Sequence, residues 1–222
     1  MRPWKLIDSA PVADESKDMM LYQRGDEFSI KVGYAELMNS RMHSSEDVLA
    51  ALGCKHIRNN PQAKVLIGGL GMGFTLAEAL KHTHADAEVV VAELVPAVIQ
   101  WNQSFISHLA DNPLKDKRVS IYEGDVGKLI RSSQNTFDAI LLDVDNGPEG
   151  LTRKGNAALY SPHGLKAAMA ALKAKGILGV WSAFPEPRFT KRINQAGFKT
   201  QEVPCRAFAK KGSKHMIWLG QK

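Results

Sequence analysis

Cysteine is scarce in this chain of 222 residues: Cys54 and Cys205 are the only two, far apart and outside any metal-binding spacing. That excludes a disulfide framework and a cysteine metal site, and it fits reduced thiols. No window approaches the roughly 18 uninterrupted apolar residues of a membrane-spanning helix. The first stretch carries Asp8, Asp14, Glu15 and Asp18 and no apolar run, so it does not read as a secretory signal. The expected setting is therefore cytoplasmic, with no membrane partner. Nothing repeats, and no segment is of low complexity. There is no Asn-Pro-Pro-Tyr run, no clustered set of metal ligands and no spaced nucleophile–base pair, so no metal is expected and no motif names an acceptor.

Acid is what the C-terminal stretch lacks. Residues 188–222 hold nine Lys or Arg against Glu202 alone, although the whole chain is only +6. Such a stretch can be a phosphate footprint. Aromatic residues for base stacking are sparse there, so a lysine-studded edge hairpin that resists aggregation is preferred, and a nucleic acid partner is the second choice. What the chain has in plenty is core material: 44% of it is hydrophobic, enough for one large domain with a small appendage.

The sequence is organised around Val65-Leu66-Ile67-Gly68-Gly69-Leu70-Gly71-Met72-Gly73. Val65 to Ile67 read as a short buried strand. Gly69, Gly71 and Gly73 let the backbone approach something bulky, because no Cβ stands in the way. Phe74 to Lys81 follows as a helix whose free N–H groups point back at that ligand. Val89 to Glu93 is a second buried strand ending in an acid, placed to accept from a ribose diol. A dinucleotide fingerprint would need a third glycine at position 74 or 76, which are Phe and Leu. The Gly-x-Gly-x-Gly spacing suits a sulfonium nucleoside better.

Residues 1–60 divide into short strands (Trp4 to Ile7, Met19 to Gln23, Glu27 to Val32, Tyr34 to Met38) and a linking helix from about Glu46 to Ile57, capped by Ser44 or Ser45. Residues 61–222 alternate strand and helix. Helices are expected from Pro96 to about Ala110, after Asp125 to about Arg131, from Pro162 to Lys175 and from Phe189 to Ala196. Strands are expected at Arg118 to Tyr122, Phe137 to Leu142 and Ile177 to Trp181, with a closing pair at Phe198 to Val203 and His215 to Leu219. This order predicts an α/β doubly wound sheet with ligands at the carboxyl tips and one antiparallel edge strand.

Four tips then converge on one crevice: the glycine loop, Glu93, Asp125 and Asp143. Asp125 is placed to accept from an exocyclic adenine amine. Asp143 and Asp145 stand close enough to hold a cation or deprotonate an amine. An Asx turn into Asn146-Gly147-Pro148 is equally open to Asp145. His43, Trp181 and Phe184 are candidates for an acceptor pocket, with simple packing the other role open to them.

These residues resemble the spermidine synthase family, which shares its fold with class I S-adenosylmethionine-dependent methyltransferases. The likeness runs through Leu37 to Glu46, Val65 to Leu76, Val91 to Pro96, Glu123-Gly124-Asp125, Phe137 to Asp143 and Leu159-Tyr160-Ser161. It implies a Rossmann-like sheet of seven strands with a small N-terminal β domain, and a homodimer. It also implies a sulfonium nucleoside donor, ribose binding by Glu93, adenine binding by Asp125 and a catalytic base at Asp143. The chain departs from the family pattern at Met72, where the family loop has Asp, and at Asp145-Asn146, where a second Asp is displaced. His43 replaces the family glutamine, and an apolar helix around Ala50 to Leu52 replaces the Tyr-His-Glu group. Met72 in particular leaves an aminopropyl ammonium without its acid, and full S-adenosylmethionine brings a carboxylate as well. The expected activity is methyl transfer from S-adenosylmethionine to a small, amine-type acceptor. The alternatives are aminopropyl transfer from decarboxylated S-adenosylmethionine to putrescine, and a non-catalytic nucleoside- or RNA-binding module.

Overall fold

The computed structural model describes residues 2–12, 17–144, 147–148, 154–208 and 211–222. The chain opens with an antiparallel meander of β1 (Lys5–Ala10), β2 (Met19–Arg24), β3 (Glu27–Val32) and β4 (Ala35–Asn39), paired in sequence order. Gly25 and Gly33 carry its last two turns at φ 63° and 58°, a conformation L side chains rarely adopt. Helix α1 (Ser44–Cys54) then leads into β5 (Lys64–Gly68), α2 (Phe74–Lys81), β6 (Glu88–Glu93), α3 (Pro96–Gln103), β7 (Val119–Glu123), α4 (Val126–Arg131) and β8 (Phe137–Leu142). The chain closes with α5 (Pro162–Ala171), β9 (Leu172–Ser182), α6 (Pro187–Gln195), β10 (Lys199–Phe208) and β11 (Lys211–Gln221).

The second sheet has seven strands in the order β10-β11-β9-β8-β5-β6-β7. β5 pairs in parallel with β6 on one side and β8 on the other, so the crossovers reverse there. That reversal is the switch point where a doubly wound sheet opens a crevice. The central strands of the sheet are buried on both faces, and alternate residues serve opposite cores. Val65, Ile67, Ala139 and Leu141 join α1, α2, α3 and the small sheet's Leu21, Phe28 and Ile30. Leu66, Ile140 and Leu142 join α4, α5 and α6. Each fully buried aliphatic side chain contributes about 1.5–3 kcal/mol. Helix α1 packs against α2 and strands β8 to β11, and the Trp101 indole of α3 donates to Asp8 Oδ2 of β1 at 2.7 Å, so both sheets share one framework.

Several boundaries differ from the sequence reading. The antiparallel strand is not the edge: β11 lies between β9 and β10, with Ile217 and Trp218 fully buried, while β10 is mostly exposed. α3 stops at Gln103, and a single 3-10 turn (Ser107–Ala110) completes the segment. The Ser104 hydroxyl donates to the Gln100 carbonyl at 2.7 Å, a local bond that competes with helix continuation. α5 stops at Ala171 because β9 begins at once. Its pairing jumps from Phe137–Leu172 to Ala139–Ile177, with Lys175 at φ 65° inside the bulge. The N-cap of α1 is His43, not Ser44 or Ser45, and it provides no side-chain cap.

Candidate active site

The tips of β5 and β8 meet first. Asp143 N–H donates to the Gly68 carbonyl and Gly69 N–H to the Ala92 carbonyl, both at 2.9 Å. Gly69 and Gly71 follow at φ 89° and 52°. A Cβ on Gly69 would collide with the Asp143 carbonyl, and one on Gly71 would reach the Met38 sulfur at 2.7 Å. The close approach that demands glycine is thus made by the protein's own backbone and side chains.

Glu93, at the tip of β6, is buried. Its Oε2 accepts from Leu70 N–H and its Oε1 from Val95 N–H, both at 2.9 Å. The carboxylate therefore clamps the glycine loop to the segment opening α3. Past β7, Asp125 caps α4: its Oδ1 accepts from Gly127 N–H at 2.6 Å and from Lys128 N–H at 3.4 Å. Past β8, Asp143 is half-buried, and Oδ2 accepts from the Thr75 hydroxyl of α2 at 2.5 Å.

Gly69, Gly71, Glu93, Asp125, Asp143 and Trp181 all line a cavity of about 170 Å³. The small sheet adds an apolar wall of Met19, Ile30, Leu37 and Met38. An apolar wall with a few convergent polar groups is the usual make-up of a ligand site. The acceptor set suits a nucleoside, because a diol and an exocyclic amine both need acceptors and the strand tips supply carboxylates.

Other expected site residues lie elsewhere. Met72 is fully buried in the core and does not reach the cavity. Gly73, at φ 85°, is the N-cap position of α2 and is packed by Asn102 and Pro113 rather than open to a ligand. His43 stacks on Phe74 with ring centroids 4.0 Å apart and hydrogen-bonds Asp47 at 3.0 Å, and it is not itself among the lining residues. Phe184 is 59% exposed. Asp145 lies outside the described residues.

The sequence reading missed Glu46. It lines the cavity from α1, is buried, and receives the Ser45 hydroxyl on Oε2 at 2.5 Å. Burial and the nearby Asp143 charge push its carboxyl up to about 7, and burial pushes Asp143 up to about 6 against the opposing bond from Thr75. Two carboxyls share one low-dielectric pocket, so each resists ionisation of the other. The missed signal was present in the sequence: Leu49, Ala50, Gly53 and Cys54 follow Glu46 at the spacing of one helix face, and that face is buried.

Comparison with known proteins agrees with this geometry. The spermine/spermidine synthase domain model matches residues 42–195. A polyamine aminopropyltransferase from Thermoanaerobacter sp. (strain X514) is 31% identical over 146 residues, which are 65% of this chain and 49% of that protein. Putrescine N-methyltransferase 2 from Nicotiana attenuata is 33% identical over 85 residues, 38% of this chain and 22% of that protein. The chain spans half or less of the length of these curated relatives. Among solved structures, the spermidine synthase from Thermotoga maritima superposes with a TM-score of 0.76 at 19% identity, covering 98% of this chain and 72% of that one, a likeness of fold. A meander of four strands before a doubly wound sheet, a cavity at the switch point and a family match over most of the length have one reading: the chain belongs to the spermine/spermidine synthase domain family.

Proposed function

We propose that this chain transfers a carbon group from a sulfonium nucleoside to a small amine. The observation that carries the proposal is the pair of carboxyls, buried Glu46 and half-buried Asp143, lining one cavity with the glycine loop. An amine arrives as a cation, which a carboxylate pair holds, and it attacks only after losing a proton, which a raised carboxyl accepts near neutral pH. Glu93 holds the ribose diol and Asp125 the adenine edge. Asp143, kept in place by Thr75, takes the acceptor's proton. Nitrogen then bonds to the transferred carbon as the carbon–sulfur bond breaks, and the sulfonium leaves as a neutral thioether. Alignment of the two reactants is the larger share of what the protein supplies.

Aminopropyl transfer is the first reading of the donor. Two of the relatives named polyamine aminopropyltransferases align over 65% of the chain, whereas the others, like the putrescine N-methyltransferases, align over 38%. Methyl transfer, the sequence expectation, is the second reading, and Met72 favours it because the loop offers no carboxylate for an aminopropyl ammonium. That argument is weaker than the sequence implied, because Met72 points into the core and Glu46 and Asp143 already put acid in the cavity. Calorimetry with S-adenosylmethionine, its decarboxylated form and methylthioadenosine, each followed by product analysis with putrescine, tests the proposal. Tighter binding of the decarboxylated donor with formation of spermidine supports aminopropyl transfer, and N-methylputrescine supports methyl transfer. Donor binding with no amine consumed rejects both.

A further inference from the structure

The reaction proposed above releases one proton per turnover into a buried pocket, and a second row of polar groups leads away from it. The Ser45 hydroxyl touches Glu46 Oε2 at 2.5 Å and His215 Nδ1 at 2.9 Å. His215 is carried by β11, and Ser45 and Glu46 by α1, so the contact joins elements 170 residues apart. The ring packs edge-on to Trp181, a cavity-lining residue, with centroids 4.9 Å apart. Ser45 is completely buried, while His215 is only partly so. The row therefore runs from the cavity toward the surface.

We propose that Ser45 and His215 form the proton exit of the carboxylate pair. The acceptor ammonium gives its proton to the Glu46–Asp143 pair. Glu46 O–H passes a proton to Ser45 Oγ while Ser45 passes its own to His215 Nδ1, and the imidazolium loses the proton on Nε2 to water. One proton enters and one leaves, and no group is oxidised or reduced. Neither Ser45 nor His215 needs to touch the amine, so both are positioning and relay residues. The inference rests on the amine-transfer reading.

The surroundings suit a transient carrier. Desolvation lowers the His215 pKa, so the imidazole is neutral near pH 7 with a ring nitrogen able to accept, and the imidazolium, formed against a small gradient from Glu46 at about 7, gives its proton readily to water. Cys205 faces His215 across the β10–β11 ladder, and Arg206 and Lys214 pair one position along. The Cys205 thiol is pushed up to about 11 by burial and by the Glu46 charge, so it stays protonated and does not compete. On α1, Asp47 is engaged by His43, whose positive form acts on Glu46 in turn.

The test uses the full chain with Ser45→Ala, His215→Ala and Glu46→Gln. In His215→Ala, kcat should fall about tenfold or more with donor KM unchanged, and added imidazole should restore it in a saturating manner. Wild-type kcat across the pH profile in both Ser45→Ala and His215→Ala, or a loss that imidazole does not rescue, overturns the relay. Nitrogen NMR of His215 judges it without turnover. Ser45→Ala should change the Nδ1 signal and Glu46→Gln should shift the titration, whereas a His215 indifferent to both contradicts the proposal. If no amine is converted by the wild-type chain, the amine-transfer reading fails, and the NMR result still decides whether the row is connected.

Discussion

Glu93 shows how one side chain joins fold and function. It closes two backbone amides, one in the glycine loop and one in the segment opening α3, and is proposed to receive the ribose, so Glu93→Ala loses both. Methylthioadenosine affinity should drop by about 1.5–3 kcal/mol per lost charge-assisted bond, and Tm should fall because Leu70 and Val95 N–H lose their partner. Calorimetry showing an unchanged Kd would remove the ribose role. The Glu46–Asp143 pair predicts a pH dependence of stability. Folding raises both carboxyls, Glu46 from 4.5 to about 7 and Asp143 from 3.8 to about 6. Between those values the folded chain holds more protons than the unfolded one, so the stability is complete below the unfolded values and is lost as pH rises toward 7. Glu46→Gln should therefore gain Tm relative to wild type as pH climbs from about 5 to about 8, by about 2–4 °C for each kcal/mol recovered. A Tm difference that is flat with pH would contradict the shared burial. At this scale the sequence exposed Gly69, Gly71, Glu93, Asp125 and Asp143, because each sits where a strand pattern ends. It hid Glu46, Ser45 and His215, because their meaning depends on contacts between α1, β8 and β11. Met72 misled, since spacing in a loop does not say which way a side chain turns.

At the scale of elements, the junction of β5 and β8 carries the site. Gly69 is at φ 89°, and a Cβ there would strike the Asp143 carbonyl. Gly69→Ala should therefore part the two strand tips, lower Tm by several degrees and move Asp143 off Thr75; strain at such a position costs about 1–3 kcal/mol before the clash is counted. A variant with wild-type Tm and donor affinity would show that the tips do not need that approach. The strands of the sheet's centre were legible because β5, β6 and β8 are short unbroken apolar runs. The end of α5 was not. Lys166 to Lys175 is built of good helix formers, and pairing with β8 overrides that preference from Leu172 onward. The closing hairpin was recognised as two strands, but its place in the sheet depended on β11 burying Ile217 and Trp218, which alternation alone does not rank against an edge.

Across the whole molecule, the excess positive charge of the C-terminal stretch is partly absorbed by the fold. Arg192 donates to the Tyr160 carbonyl, Lys222 to the Leu172 carbonyl and Arg206 to the Gly212 carbonyl, at 3.2, 2.6 and 3.1 Å. These cations satisfy backbone groups, which supports a structural role for the stretch over a phosphate track. Single-stranded RNA should accordingly show no retention at physiological salt, and tight binding that falls steeply with salt would restore the nucleic acid reading. No helix among the described residues is long and apolar enough to cross a membrane. The two sheets, α1 and the switch-point crevice set a carboxyl pair beside the glycine loop, and the central claim is that this pair activates an amine. The most direct test is product analysis by mass spectrometry for wild type and Asp143→Asn, with putrescine and each sulfonium donor, beside methylthioadenosine calorimetry on both chains. The account predicts that wild type converts the amine with one of the donors, and that Asp143→Asn loses about a hundredfold or more in turnover while its methylthioadenosine affinity holds. Undiminished conversion by Asp143→Asn, or no amine consumed by wild type with either donor, would contradict it.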